Sequence, residues 1–173
     1  MKPYVRGKSI YFREVNLDDA EFIVEMRTNP DKNKYLSHTS VEVESQVNYL
    51  RNYLKSTTDF YFIICNYEGK AIGTIRIYDI RDNSFCWGSW ILSKDAPKSA
   101  AVESALLIYD FAFFSLHYPK AHFDVRKNNE RVVEFHKRFG ARIVDENELD
   151  YFFEYDRDAY SAIRSKYLRF LPD

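Results

Sequence analysis

Residues 60–92, FYFIICNYEGKAIGTIRIYDIRDNSFCWGSWIL, decide the fold. β-Branched and aromatic residues fill three runs, and the separators Glu68-Gly69 and Arg81-Asp82-Asn83 have the chemistry of hairpin turns. An antiparallel meander is expected. The chain then changes period. From about Pro97 to His117, small and apolar residues recur at helical spacing behind a proline in the first turn. AHFDVRK (121–127) reads as a strand, NNERVVEFHKRFG (128–140) as a helix closed by Gly140, and ARIVDEN (141–147) as a strand. A meander followed by β-α-β implies an α/β (mixed α+β) fold, with helices on the faces of a mixed sheet.

Outward from this block, SIYFREV (9–15) alternates as a first strand. Asn16 has the position of an N-cap, with Asp18 and Asp19 in the positive first turn of a helix that Asn29-Pro30 ends. A polar loop, DKNKYLSHTS, precedes a second helix from about Val41 to Lys55, whose Val43, Val47, Leu50 and Leu54 form a stripe. On the C-terminal side, YFFEYD (151–156) is a strand and DAYSAIRSKYLRFL (158–171) a helix.

Composition narrows the function classes. With 173 residues and no Pro/Gly/Ser linker, residues 1–173 are expected to form a single domain. A formal net charge of −1 gives no general attraction to nucleic acid or anionic lipid. No run approaches the ~20 apolar residues of a membrane span, and the opening MKPYVRGKSIYFREV lacks the apolar core of a signal peptide. A cytoplasmic protein is expected. Cys65 and Cys86 sit singly in apolar runs and read as buried thiols. His38, His117 and His122 share no ligand spacing, so no metal is assigned. Fourteen Tyr and fourteen Phe can build a thick core or line a cleft for a flat or sugar-like ligand.

The order of elements, with SWILSKDAPKSAAVESALLIYDFAF (89–113) and HFDVRKNNERVVEFHKRFGA (122–141), resembles the GNAT acyltransferases, in the branch of the ribosomal-protein and amino-sugar N-acetyltransferases. The resemblance implies a mostly antiparallel sheet with one splayed parallel pair, and acetyl-CoA as acyl donor. Trp90, Ile91 and Leu92 match the strand that offers backbone groups to pantetheine. The loop that cradles the pyrophosphate, Arg/Gln-x-x-Gly-x-Gly/Ala in the family, corresponds to Ala96, Pro97, Lys98, Ser99, Ala100 and Ala101. Its first basic residue and first glycine are absent and only Ala101 agrees. Ser99 adds a hydroxyl, and Lys94 and Lys98 supply charge as points rather than as a fork.

NERVVEFHKRFGA (129–141) matches Asn-x-x-Ala-x-x-x-Tyr-x-x-x-Gly-Phe, with Asn129 first, Val132 at the small position and Gly140 at the glycine. Asn129 then implies a contact to pantetheine as well as an N-cap. His136 stands at the tyrosine, the family's proposed acid for the departing thiolate. An unperturbed imidazole, with pKa about 6.5, would hold some imidazolium near neutrality. Arg126, Lys127, Arg131, Lys137, Arg138 and Arg142 cluster, and Arg126, Lys127 or Arg131 is a candidate for a coenzyme or nucleotide phosphate. Glu14, Glu154 and Asp124 are candidate proton acceptors with no winner among them; Glu103, one turn into the long helix, is explained by its dipole.

The expected activity is N-acetylation by direct attack of an amine on the thioester. The FHKRFGA ending is similar to enzymes that act on nucleotide-linked 4-amino sugars for surface polysaccharides. The alternatives are a protein N-terminus of ribosomal type, favoured by Asp18, Asp19, Glu21, Glu42 and Glu44, and a non-catalytic coenzyme A or nucleotide-sugar binding domain. An interaction domain without coenzyme affinity also stays open. The partner is then a small-molecule amine, with no nucleic acid or membrane, and the chain a monomer or homodimer.

Overall fold

A computed structural model describes residues 3–29 and 42–173, so the expected polar loop and His38 lie outside the described residues. The strands are β1 (Val5–Arg6), β2 (Ile10–Glu14), β3 (Phe60–Asn66), β4 (Ala71–Arg81), β5 (Ser84–Leu92), β6 (Lys120–Arg126), β7 (Arg142–Glu146) and β8 (Asp150–Asp156). They form one sheet in the order β1-β2-β3-β4-β5-β6-β8-β7. All neighbours are antiparallel except β5 and β6. The helices are α1 (Ala20–Thr28), α2 (Val43–Tyr53), α3 (Ala100–Asp110), α4 (Glu130–Arg138) and α5 (Arg157–Arg164).

The two sheet faces have separate cores. Alternate residues of β3 explain why its run is apolar throughout: Phe62 and Ile64 join the core under α3, α4 and α5, while Tyr61, Ile63 and Cys65 join the one under α1 and α2. The larger core is built from rings. Tyr109 of α3 stacks on Phe113 at 5.5 Å and on Phe139 at 5.9 Å, and meets Tyr155 edge-on at 5.2 Å. Such pairs add about 0.5–1.5 kcal/mol each beyond their buried area. Both cysteines are buried free thiols.

Local signals fall where the sequence puts them, in the 3-10 turn Leu17–Asp19 that leads into α1. The Asn16 side chain accepts from the Asp18 amide (2.9 Å), and Asp19 accepts from the Asn16 amide (2.8 Å) in a capping box. Other expectations shift. The first strand is part of a hairpin with β1, closed around the Gly7–Ile10 turn. In α2, Gln46, Leu50 and Tyr53 turn inward, whereas Val43 and Leu54 are exposed. Tyr53 displaces Leu54 because its hydroxyl also caps the sheet, accepting from the Tyr61 amide (2.7 Å). The long helix is regular only from Ala100 to Asp110 and ends in a π-helical turn, Phe111–Ser115. Glu103 is a tether rather than a dipole partner. Its buried carboxylate accepts from the Ser9 amide (2.7 Å), the Ser9 hydroxyl (2.5 Å) and the Ile10 amide (3.2 Å).

Candidate functional site

β5 and β6 pair over two residues, Ser84 with Lys120 and Phe85 with Ala121. That paired end is pinned by a chain of side chains: Ser84 hydrogen-bonds His122, whose Nε2 lies 3.1 Å from Asp79. Beyond it the strands part. Had the ladder continued, Gly88 would face Asp124; instead both line the cleft between the strands, a cavity of about 840 Å³.

A bulge in β5 frees backbone at the cleft. The β4–β5 register runs Thr74 with Ile91, then Arg76 with Gly88, leaving an extra residue on β5. Ser89 takes a left-handed φ of 47°, and its carbonyl accepts from the Thr74 hydroxyl (2.6 Å). Residues 89 and 90 are thereby out of the ladder. Trp90 donates from Nε1 to the Ser104 hydroxyl of α3 (3.0 Å) and packs against Phe135 at 5.2 Å. Trp90, Ile91 and Leu92 all line the cleft.

His136 forms part of the cleft wall from α4. Its ring is boxed by Phe123 at 4.5 Å, Trp87 at 5.5 Å, Phe153 at 5.6 Å and Phe135 at 5.7 Å. No charge offsets this burial, which pushes the imidazole pKa down to about 3. The ring is therefore neutral near pH 7, and the imidazolium expected from the unperturbed value is absent. Nδ1 is buried with no hydrogen-bond partner among the described residues.

Asn129 is the N-cap residue of α4, makes no side-chain capping bond and lines the cleft, which leaves its amide able to meet a ligand. Arg131 is exposed at the cleft and makes no ion pair among the described residues. Three of its basic neighbours are committed: Arg126 to Asp150 (3.4 Å), Lys127 to Glu146 (2.5 Å) and Lys137 to Glu134 (3.6 Å). Of the expected phosphate loop, Ala101, already in the first turn of α3, lines the cleft, whereas Lys98 and Ser99 stand outside its lining. The Ala100 side chain is fully buried and its amide donates to the Pro97 carbonyl (2.9 Å), so neither can meet a phosphate. A helix geometry still leaves first-turn amides such as that of Ala101 without an intrahelical acceptor.

The three carboxylate candidates separate in space. Glu154 pairs with Lys120 (2.8 Å), which lowers its pKa, and Glu14 accepts from Tyr53 (3.3 Å). Asp124 reaches the cleft opposite Gly88, on the α1–α2 side of the sheet. Desolvation, then the nearby Asp150, raise its pKa. Neither thiol is poised as a nucleophile: burial pushes Cys86 up to about 12 and raises Cys65. Among the described residues no group of three or more His, Cys, Asp or Glu could hold a metal ion, and no helix is long and apolar enough to cross a membrane.

The Acetyltransferase (GNAT) domain family matches residues 9–142. Acetyltransferase PseH of Campylobacter jejuni subsp. jejuni serotype O:2 is 21% identical over 141 residues, 82% of this chain and 88% of that protein. The solved structure of apo FdhC, described as a nucleotide-linked sugar GNAT, is 38% identical with a TM-score of 0.89, over 97% of this chain and 98% of that one. A GNAT acetyltransferase from Bacillus anthracis, 15% identical over 89% of this chain and 98% of its own, has a TM-score of 0.76 and shares the fold.

Proposed function

This chain belongs to the GNAT acetyltransferase family, and from that premise we propose that it transfers an acetyl group from acetyl-CoA to the amine of a nucleotide-linked amino sugar. The observation that carries the reading is the parting of β5 and β6, which sets free bulge backbone and Asp124 on either side of one gap with His136 behind it. The likeness to FdhC, described as a nucleotide-linked sugar GNAT, supports the acceptor class, and the resemblance carried by the FHKRFGA ending is what points to surface-polysaccharide synthesis.

Pantetheine would lie along Trp90–Leu92 and against Asn129, with first-turn amides of α3 and Arg131 toward the phosphates. The donor supplies an activated acyl carbon. Acyl transfer requires a neutral amine, and Asp124 takes its proton. The nitrogen bonds to the carbonyl carbon while a backbone amide of the bulge stabilises the oxyanion, and the second proton, carried by the nitrogen of the tetrahedral adduct, passes to water in the cleft. The C–S bond then breaks with its electron pair on sulfur. A neutral His136 stabilises that sulfur as a hydrogen-bond donor, and the thiolate takes its proton from water on release.

A protein N-terminus is the second acceptor class. Its acidic lining is weakened here, because Asp19 is withdrawn into a two-point pair with Arg13 (2.7 and 2.8 Å). The deciding experiment is calorimetric titration with acetyl-CoA and coenzyme A, followed by acceptor assays with nucleotide-linked amino sugars and peptide N-termini. A micromolar Kd, about −8 kcal/mol at 1 μM, and turnover of the sugar nucleotide are expected. No heat up to millimolar donor would overturn the reading in favour of a binding or interaction domain. Turnover of peptides alone would transfer it to the second class.

A further inference from the structure

On the α1–α2 side of the sheet, β4 presents a cation without a counter-charge among the described residues. Arg76 sits directly between Tyr61 of β3 and Gly88 of β5 in the two ladders. Its guanidinium carbon is 4.2 Å from the ring centre of Tyr78, 5.6 Å from Tyr49 and 5.7 Å from Tyr61. Among the described residues it makes no hydrogen bond or ion pair, and its Nε is buried without an acceptor. Rings on its faces hold a guanidinium flat and leave its edge of N–H donors for something else. Nε is closed to solvent, so the terminal nitrogens of this half-buried side chain, which have no acceptor among the described residues, are the donors a ligand can meet.

The surroundings say what kind. Arg27, from α1, reaches the same bulge, its Nη1 3.3 Å from the Ser89 hydroxyl. Burial raises the pKa of the Tyr61 hydroxyl, and both arginines lie close enough to it to act in the opposite direction. The Tyr78 hydroxyl end packs on Gly88, where a Cβ would come within 2.8 Å of it, so this nest abuts the gap facing Asp124. His136 and its aromatic box lie on the opposite, α3–α4 side.

We propose that Arg76, with Arg27 and the rings of Tyr49, Tyr61 and Tyr78, is the docking site for the phosphates of the acceptor. This rests on the nucleotide-linked reading of the acceptor and assigns that ligand's diphosphate to named residues. An amine held in the gap at Gly88 leaves the rest of its molecule to run over Ser89 toward two guanidinium groups. A forked guanidinium matches phosphate oxygens in pairs, and the tyrosine faces suit a sugar or a base.

The test uses nucleoside diphosphates, dTDP and UDP, as calorimetric probes independent of turnover, with coenzyme A titrated separately. The wild-type chain is expected to bind a diphosphate with affinity that falls with salt. Arg76→Gln should weaken it about 10- to 100-fold, the scale of charge-assisted hydrogen bonds, and Arg76→Lys less. Coenzyme A affinity should hold, and KM for a nucleotide-linked amino sugar should rise in parallel. Tyr49→Ala, at an exposed ring, tests the nest without touching the core and should weaken the probe about two- to fivefold. Unchanged diphosphate affinity in Arg76→Gln and Tyr49→Ala would overturn the site, even if sugar nucleotides are substrates. Loss of coenzyme A affinity instead would overturn it by assigning Arg76 to the donor. Diphosphate binding lost in Arg76→Gln would sustain the site even if turnover of the sugar nucleotide failed.

Discussion

His136 shows how far one residue's surroundings can move its chemistry. Its pKa of about 3 in the folded chain lies below the ordinary 6.5. The unfolded chain therefore gains a proton near pH 6.5 that the folded chain refuses until about pH 3. The stability from keeping this ring neutral is present above pH 6.5 and is lost as pH falls toward 3. His136→Phe is expected to flatten the loss of stability between pH 7 and 4 in urea unfolding; an unaltered slope would mean the ring is not buried neutral. The same variant should lower kcat while leaving coenzyme A affinity within about threefold, since other groups hold the coenzyme. Asp124 is displaced the other way. As a proton acceptor it must be ionised, so kcat/KM should fall as pH drops through a pKa raised from the ordinary aspartate value by burial and by Asp150. Asp124→Asn should reduce kcat by about 10²- to 10⁴-fold and abolish that limb. A wild-type pH profile from the variant would remove Asp124 from the reaction.

At the scale of elements, the ends and irregularities matter more than the regular spans. Gly140 ends α4 with φ of 106°, and a Cβ there would lie 2.7 Å from the Tyr155 hydroxyl and 2.9 Å from Ile163. Gly140→Ala combines left-handed strain with a clash in the core, and should cost about 2–4 kcal/mol in chemical denaturation. A loss below about 0.5 kcal/mol would mean that the turn relaxes freely. The glycine was legible as a helix stop because the requirement is local. The bulge at Ser89 was not, since serine carries no preference for positive φ and only the competing register of β4 selects it. The edge strand β7 is exposed along its whole length, including Ile143 and Val144. A bulge between Ile143 and Asp145 and the charges of Arg142, Asp145 and Glu146 interrupt that edge against further strand pairing.

Across the whole molecule, Glu103 joins α3 to a turn 94 residues away. Glu103→Ala would leave three donors of Ser9 and Ile10 without this acceptor, and should destabilise the fold by about 2–4 kcal/mol. Thermal and urea unfolding measure it; a neutral result would mean that water replaces the carboxylate. The sequence by itself determined the meander, the following β-α-β, the capped entry to α1, the closed end of α4, and the placement of Asn129 and His136 on one helix. Each is set by residues within a few positions of one another, through periodicity, turn chemistry or capping. The tertiary structure alone decided that β5 and β6 part after two pairs, that Asp124 rather than Glu14 or Glu154 reaches the gap, and that His136 is neutral. It also decided that Arg76 lies between rings from three other elements or positions. Those outcomes depend on which strands become neighbours and in what register. Desolvation and charge proximity are sums over atoms distant in sequence, and they take their values only once the sheet has formed.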